Sequence, residues 1–449
     1  MIIGVIADDF TGASDAASFL AKGGMETMML NGIPTGNFDS LQLPDAVVIA
    51  LKTRTEPTQA AVSDSLEACR WLMKHGAEHI YVKYCSTFDS TPRGNIGPIC
   101  DCLMEKLDLS YTILCPALPV NGRTVRNGRL FVKGIPLDES SMKNHPLTPM
   151  WDSRIAVLMK DQSRYPVFSL SIEEVIAGKS FIEDKAAHIR QNKISSIKDD
   201  PNNGKKTDRI YFVPEYYEAG QDSDIAAAFE SLRLLTGGSG ILEALANIYL
   251  GRKVKNNDRK HFIKRPEGRA LILAGSCSTT TLSQIDTFKS TGKPSFRIFP
   301  EQVISGKQSL REIEKFIESN LKDDVLIYSS APINEVRKAQ SSAADKENIS
   351  EMLEQMMASL AEWGLSHART RIIVAGGETS GAVTKKLGFS SYYIENNVAP
   401  GVPVIIPCNH PEIRLVLKSG NFGDHNFFLE ALQKTSETTQ QSCTVQCFR

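Results

Sequence analysis

Eight short apolar runs, each closing on a polar or glycine-rich segment, constrain the fold of this chain more than any other feature. IIGVIA from Ile2, DAVVIAL from Asp45, HIYVKY from His79 and YTILCPA from Tyr111 lie in the first half. ALILAGS from Ala270, DVLIYSS from Asp324, RIIVAGG from Arg371 and RLVLKSG from Arg414 lie in the second. Runs of this length, rich in β-branched residues, suit strands buried on both faces, and their alternation with helical stretches marks βαβ units on a parallel sheet. The four strands of the first half end in ADDFTG, KTRTE, CSTFDSTPRGN and PALPVNGRT, so four polar loops are expected along one edge of one sheet.

The predicted fold is therefore α/β: two domains, each built on a mostly parallel sheet flanked by helices, with the active site in the interdomain cleft. A chain of 449 residues has enough length for each domain to bury its own core. The first domain is drawn over 1–250 and the second over 269–433. A basic stretch at 251–268, GRKVKNNDRKHFIKRPEG, reads as a linker, and 434–449 as a flexible polar tail. A helix is expected over Thr58–Lys74, with Ala61, Leu66, Ala68, Trp71 and Leu72 able to share its buried face. Others are expected from about Asp222 to Arg233 and from about Ile349, whereas 152–208 is less regular.

Composition excludes some partners. The formal net charge of -1 creates no long-range field for nucleic acid or anionic membrane, and no window approaches about 18 apolar residues. The nine cysteines lack paired C-x-x-C spacing and read as reduced thiols, so a cytoplasmic protein acting on small molecules is expected.

The first strand delivers Asp8 and Asp9 side by side at its carboxyl end, where open α/β sheets bind ligands. Such a residue is also a natural helix N-cap, so one aspartate can cap while the other works. Phe10 follows, so there is no D-x-D nucleophile motif, and no G-x-G-x-x-G follows the strand, which disfavours a nicotinamide enzyme. Arg54, Lys83 and Arg93, with Ser86, Asp89 and Ser90, sit at or beyond other strand ends of this half. Guanidinium and ammonium groups with hydroxyls between them suit a small polyhydroxy acid.

In the second half GSCSTTT from Gly275, GGETSG from Gly376 and KSGNFG from Lys418 combine glycines with hydroxyls after strands. Glycine lets backbone approach a phosphate, and a following helix presents its N-terminal dipole. One such charge–dipole contact contributes only about 0.3–1 kcal/mol, so the three loops must act together. Neither the G-x-x-x-x-G-K-[ST] loop nor the protein-kinase signature set is present.

Together, ADDFTG, KTRT, KYCSTFDSTPRGN, PALPVNGRTV, TGGSG, AGSCS, AGGETSG, APGVP and KSGNFG resemble the four-carbon acid sugar kinase family along nearly the whole chain. VKYCSTFDSTPRGNIGP and CPALPVNGRTVRNGRLFV look most like its 3-oxo-tetronate 4-kinase branch. The resemblance implies an acid-binding amino-terminal domain, an ATP-binding carboxyl-terminal domain, and ATP with Mg2+ phosphorylating the 4-hydroxyl of a 3-oxo-tetronate. D-Threonate or D-erythronate 4-kinase activity is the alternative within the family. A non-catalytic sugar-acid and nucleotide sensor is the alternative outside it.

By match to the motifs, Asp8, Asp9, Arg54, Lys83, Tyr84, Cys85, Ser86, Asp89 and Arg93 belong to the acid site. Asp9 is the candidate base, Asp8 the ligand of hydroxyls or metal, an order that can be reversed, with Arg54 and Lys83 on the substrate carboxylate. Ser276, Ser278, Gly376, Gly377, Glu378, Thr379, Gly420 and Asn421 belong to the ATP site, with Gly237 and Gly238 as further candidates. No metal ligand is assigned, a homo-oligomer is left open, and 168–218 departs from the family pattern.

Overall fold

A computed structural model describes residues 1–34, 43–144, 148–197, 208–251, 266–330 and 346–436. The chain divides into two compact units, Met1–Lys255 and Asn256–Arg449. Most of the linker stretch, 252–265, and the end of the tail, 437–449, lie outside the described residues. No helix among the described residues is long and apolar enough to cross a membrane.

The strands of the first unit are β1 (Ile3–Ala7), β2 (Thr27–Asn31), β3 (Ala46–Ala50), β4 (His79–Lys83), β5 (Tyr111–Ile113), β6 (Arg123–Arg126), β7 (Arg129–Val132), β8 (Ile135–Pro136), β9 (Val167–Leu170), β10 (Ile210–Pro214) and β11 (Leu234–Gly237). The order β11-β4-β1-β3-β2 forms a wholly parallel sheet. All five residues of β1 and of β3 are buried, as continuous apolar runs require of strands covered on both faces. The registers Ala7 to Ala50, Ala7 to Lys83 and Lys83 to Gly237 end four of these strands at one level.

One expectation needs correction here. β5 does not join that sheet but pairs with β10, which also pairs with β9, in a second parallel sheet. An apolar run identifies a strand without identifying its partner. The chain beyond β5 still returns to the main sheet, where Cys115 forms a parallel bridge with Gly237. Glycines make this approach feasible: a Cβ at Gly237 would lie 2.3 Å from the Cys115 carbonyl oxygen, and one at Gly238 would lie 2.7 Å from that of Pro116. TGGSG is thus explained first by close backbone packing. A small antiparallel sheet, β6-β7-β8, completes the unit.

The helix Thr58–Lys74 has the expected bounds, but its buried stripe is Ala61, Ser65, Ala68, Cys69 and Leu72. Leu66 and Trp71 are half-buried, and Trp71 stacks on His75 with ring centroids 4.0 Å apart. The expected helix near Asp222 spans Gln221–Phe229.

The second unit contains β12 (Ala270–Ala274), β13 (Ser295–Arg297), β14 (Val325–Tyr328), β15 (Arg371–Ala375), β16 (Ser391–Ala399), β17 (Val402–Pro407) and β18 (Arg414–Lys418). β18-β15-β12-β14-β13 is parallel, and the β16-β17 hairpin extends it antiparallel from β18. The amino-terminal edge of this sheet is pinned by buried arginines. Arg371 pairs with Asp324 at 2.8 Å and Arg414 with Glu395 at 3.0 Å. Arg369 donates to the carbonyls of Ile317 and Asn320 at the end of the helix Leu310–Ser319, where the dipole favours a cation. The opposite edge carries the glycine and hydroxyl loops. The helix Lys346–Ser366 starts three residues before Ile349, and the final helix, Phe427–Ser436, runs past 433 with Thr435 buried.

Candidate active site

Most of the residues expected at an acid site lie at or just beyond the ends of β1, β3 and β4, beside the end of β11. Asp9 has extended backbone geometry and caps the helix Phe10–Lys22, its side chain accepting from the Gly12 N–H. Asp8 receives a bidentate grip from Arg54, Nε to Oδ2 at 2.8 Å and Nη2 to Oδ1 at 2.9 Å. The third nitrogen of the same guanidinium, Nη1, lies 2.6 Å from Asp9 Oδ2. One residue therefore caps, both carboxylates are tied to one fork, and Arg54 is the organiser of the pair.

Lys83 is buried and lies 3.3 Å from Asp15 Oδ2, which also accepts from Ser239 Oγ at 2.6 Å. A Cβ placed on Gly12 would meet Asp9 Oδ1 at 2.8 Å, Lys83 Nζ at 3.4 Å and Asp8 Oδ1 at 3.5 Å. Gly12 is thus the gap around which two carboxylates and an ammonium converge. In the structure the partners of Arg54 and Lys83 are Asp8, Asp9 and Asp15. An arginine has five N–H donors, and three of those on Arg54 are engaged here, so capacity for a substrate oxygen remains.

Electrostatics separates the carboxyls by environment. Burial raises the Asp8 pKa, with Arg54 pulling it down and Asp9 adding to the rise. Burial likewise raises that of Asp15 against the pull of Lys83 and Ser239. For Lys83, burial favours the neutral amine, but Asp15, Asp8 and other neighbours outweigh it and keep the pKa above its ordinary value.

A small recess is lined by Asp8, Arg54, Lys83, Tyr84 and Asp89 of the expected set, together with Thr53, Ser65, Ser90 and Asn95 and the apolar Ile6, Val82, Ile96 and Ile99. Asn95 in its lining donates from Nδ2 to the carbonyls of Thr53 at 2.7 Å and Glu56 at 2.8 Å. Ser90 Oγ donates to Gln162 Oε1 at 3.0 Å, so the irregular 152–208 stretch does support this site. Asp89 accepts from Thr87 at 2.6 Å.

The remaining expected residues sit differently. Cys85 is hydrogen-bonded with Thr87, and burial pushes its thiol up to about 12, which disfavours the thiolate. Ser86 lies beside Gly238, where its Cβ would be 3.5 Å from an added Cβ. Arg93 is exposed in the turn Thr91–Gly94 and does not line the recess. Asp15 and Ser239 escape the sequence reading. An acidic residue within ASDAASF reads as a solvent-facing helical position, and Ser239 as part of a glycine turn.

In the second unit the three expected loops meet at the ends of β12, β15 and β18. Gly275 and Ser276 donate to the Ala375 carbonyl, and Gly376 donates to that of Lys418. Ser278 Oγ caps the helix Thr279–Ser290 by accepting from Thr281 N, and donates to the Gly420 carbonyl at 2.7 Å. A Cβ on Gly420 would strike Ser276 Oγ at 2.2 Å, and one on Gly275 would strike Thr379 Oγ1 at 2.2 Å. Gly376 has φ 138°, a region that glycine alone enters without cost.

Gly377 differs, because a Cβ there would meet nothing within 4 Å. It opens the helix Gly377–Leu387, and the N–H groups of Gly377, Glu378 and Thr379 find no acceptor among the described residues. Nor do those of Gly420 and Asn421. A row of open donors at a helix start and an adjacent turn is suited to an anion. Lys418, at the end of β18, is fully buried in the same place; the sequence reading passes over it as the first letter of a loop.

Comparison with known proteins agrees with this division. A family model described as a sugar-binding N-terminal domain matches residues 3–245, and one described as a nucleotide-binding C-terminal domain matches 271–428. A 3-oxo-tetronate kinase from Brucella melitensis is 39% identical over 435 residues, covering 96% of this chain and 95% of that protein. One from Haemophilus influenzae is 37% identical, covering 95% of this chain and 98% of the relative. A solved structure from Salmonella typhimurium, with the provisional description of a tRNA synthase, matches at TM-score 0.81 and 37% identity over 96% of this chain and 98% of that one. With both domain models matched in order and the curated relatives named as kinases over nearly their full length, the chain belongs to the four-carbon acid sugar kinase family and is a sugar-acid kinase.

Proposed function

We propose that this chain transfers the terminal phosphoryl group of ATP to the 4-hydroxyl of a 3-oxo-tetronate, giving the 4-phosphate and ADP. The observation that carries the reading is the pairing of Asp8 with Arg54 in the lining of a recess in the unit that matches a sugar-binding domain. The substrate named for the relatives supplies the acid.

Phosphoryl transfer depends mainly on positioning and charge stabilisation. Asp8 is the better base of the two aspartates, reversing the order first expected, because it lines the recess and its raised pKa suits proton transfer. Asp9 is committed to a helix cap. Asp8 takes the proton of the acceptor hydroxyl, the oxygen bonds to the γ-phosphorus, and the bond from that phosphorus to the β–γ bridging oxygen breaks. ADP leaves with those electrons. Arg54 and Lys83 orient the carboxylates and offer remaining donors to the acid, while Asp89 and Ser90 supply partners for its oxygens.

The nucleotide is held by the open N–H groups at Gly377–Thr379 and Gly420–Asn421, with the hydroxyls of Ser276 and Ser278 beside them. Magnesium fits this arrangement as a companion of the phosphates. Among the described residues no group of three or more His, Cys, Asp or Glu gathers to cage it, and Mg2+ characteristically retains waters and binds through phosphate oxygens. Exposed Glu378, in the first turn of its helix, is the carboxylate at hand, and the ion would offset phosphate charge.

The test is ADP release from MgATP with 3-oxo-tetronate, D-threonate, D-erythronate and L-threonate compared side by side. Strong preference for the 3-oxo acid is expected. Preference for D-threonate or D-erythronate would move the chain to a sister branch, and no ADP above background with any acid would sink the reading.

A further inference from the structure

Lys418 is a buried amine for which no carboxylate forms an ion pair among the described residues. Its Nζ donates to Thr281 Oγ1 at 3.2 Å, to the Ser419 carbonyl at 3.2 Å and to the Gly420 carbonyl at 3.0 Å. Its own carbonyl accepts from Gly376 N at 2.9 Å. A single residue thus touches all three glycine and hydroxyl loops. The Gly420 carbonyl is the hub, taking Ser278 Oγ at 2.7 Å and Thr281 Oγ1 at 3.0 Å as well as Lys418.

This arrangement has a directional consequence. Three donors fix the Gly420 carbonyl on the protein side, which turns a negative dipole away from an arriving anion. The N–H groups of Gly420 and Asn421 are left open. A buried cation ordinarily has an anionic partner, since desolvating an unpaired charge is costly. Here the protein supplies only neutral oxygens.

We propose that Lys418 is the positioning residue of the nucleotide site, holding the three loops together through Gly420 and keeping in place a positive charge that a nucleoside triphosphate's phosphates complete. The proposal rests on the nucleotide reading given above. Burial draws the Lys418 pKa down to about 7, as expected of an amine with no anion beside it, and phosphates bound nearby would favour its charged form. The Phe427 ring of the helix Phe427–Ser436 has its centroid 5.4 Å from Nζ.

Calorimetric titration of the full chain with ATP, ADP and adenosine tests this, using the wild type, Lys418→Met and the neutral donor variant Lys418→Gln, each checked for folding by thermal melting. Loss of a charged hydrogen-bonding group predicts ATP binding weaker by about 10- to 100-fold in both variants, a smaller loss for ADP, and unchanged adenosine binding. If Lys418→Met does not fold, the Gln variant, which retains donors, carries the same comparison. Wild-type ATP affinity in a folded variant would overturn the proposal, as would an equal loss for adenosine, which marks a purely structural role. A wild type that binds no ATP would overturn the nucleotide reading itself and this inference with it.

Discussion

Arg54 holds Asp8 through two parallel hydrogen bonds, at 2.8 and 2.9 Å, in a geometry that only a planar fork can make. Lysine keeps the charge but cannot grip both oxygens, and it would release Asp9 from Nη1. Arg54→Lys is therefore expected to lower kcat by about 100-fold, within the range of a misplaced general base, with ATP affinity unchanged. Steady-state kinetics with both substrates varied checks this. A kcat near that of the wild type would show that the fork does not position the base.

Asp15 makes a signed prediction about pH. Its pKa is raised by burial above the ordinary 3.8, so the folded state retains its proton to higher pH than the unfolded chain does. Over that window the native state binds more protons, and stability falls as pH rises through it. Asp15→Asn removes this contribution. The comparison runs from pH 4 to 8, below the ordinary lysine value of 10.5, and Lys83 keeps Asp8 and Asp9 as neighbours in the variant, so the difference in slope reports on Asp15. Denaturant midpoints across that range should show the wild type losing ground relative to Asp15→Asn as pH rises. Parallel curves would contradict the placement.

Which parts of this were legible in the sequence follows from the physics of each. β1, β3, β12 and β15 are short apolar runs buried along their whole length, and such runs announce themselves. The partner of β5 is decided by tertiary packing, as is the Cys115 bridge that Gly237 permits. β2 has too few β-branched residues to stand out, and the β16-β17 hairpin carries polar residues through its first strand. Asp8, Asp9 and Arg54 were visible as residue types at strand ends. Their mutual pairing was not, because a charge in a loop does not name its partner. Lys418 was hidden for the opposite reason: lysine is ordinarily exposed, and only the fold shows this one buried.

At the other edge of the second unit, Arg371 bonds Asp324 at 2.8 Å and the Leu432 and Gly268 carbonyls at 2.9 and 3.0 Å. Asp324 also accepts from Ala270 N at 2.9 Å. Arg371→Met should cost about 3 kcal/mol, the low end for breaking a buried pair, because Asp324 keeps Lys293 at 3.5 Å as a cationic partner beside the Ala270 N–H. The glycine loops lie at the far end of β15, so ATP affinity should persist in the folded variant. Urea midpoints and ATP titration together decide the matter, and a variant as stable as the wild type would refute the role assigned to this pair.

Neighbouring glycines separate folding from binding at the nucleotide site. Gly376 has φ 138° and its Cβ would lie 2.9 Å from Thr379 Oγ1, so Gly376→Ala is expected to lose at least about 1 kcal/mol of stability. Gly377 lies outside the positive-φ set, and a Cβ there enters open space. Gly377→Val should therefore fold with stability within about 0.5 kcal/mol of the wild type. The same side chain would stand in front of the open N–H groups at the start of the helix Gly377–Leu387, where phosphate must approach within hydrogen-bonding distance. ATP affinity is then expected to fall at least about 10-fold in a protein that melts normally. Melting curves and nucleotide titration on the two variants separate the effects, and normal ATP binding by Gly377→Val would mean that the phosphates are seated elsewhere.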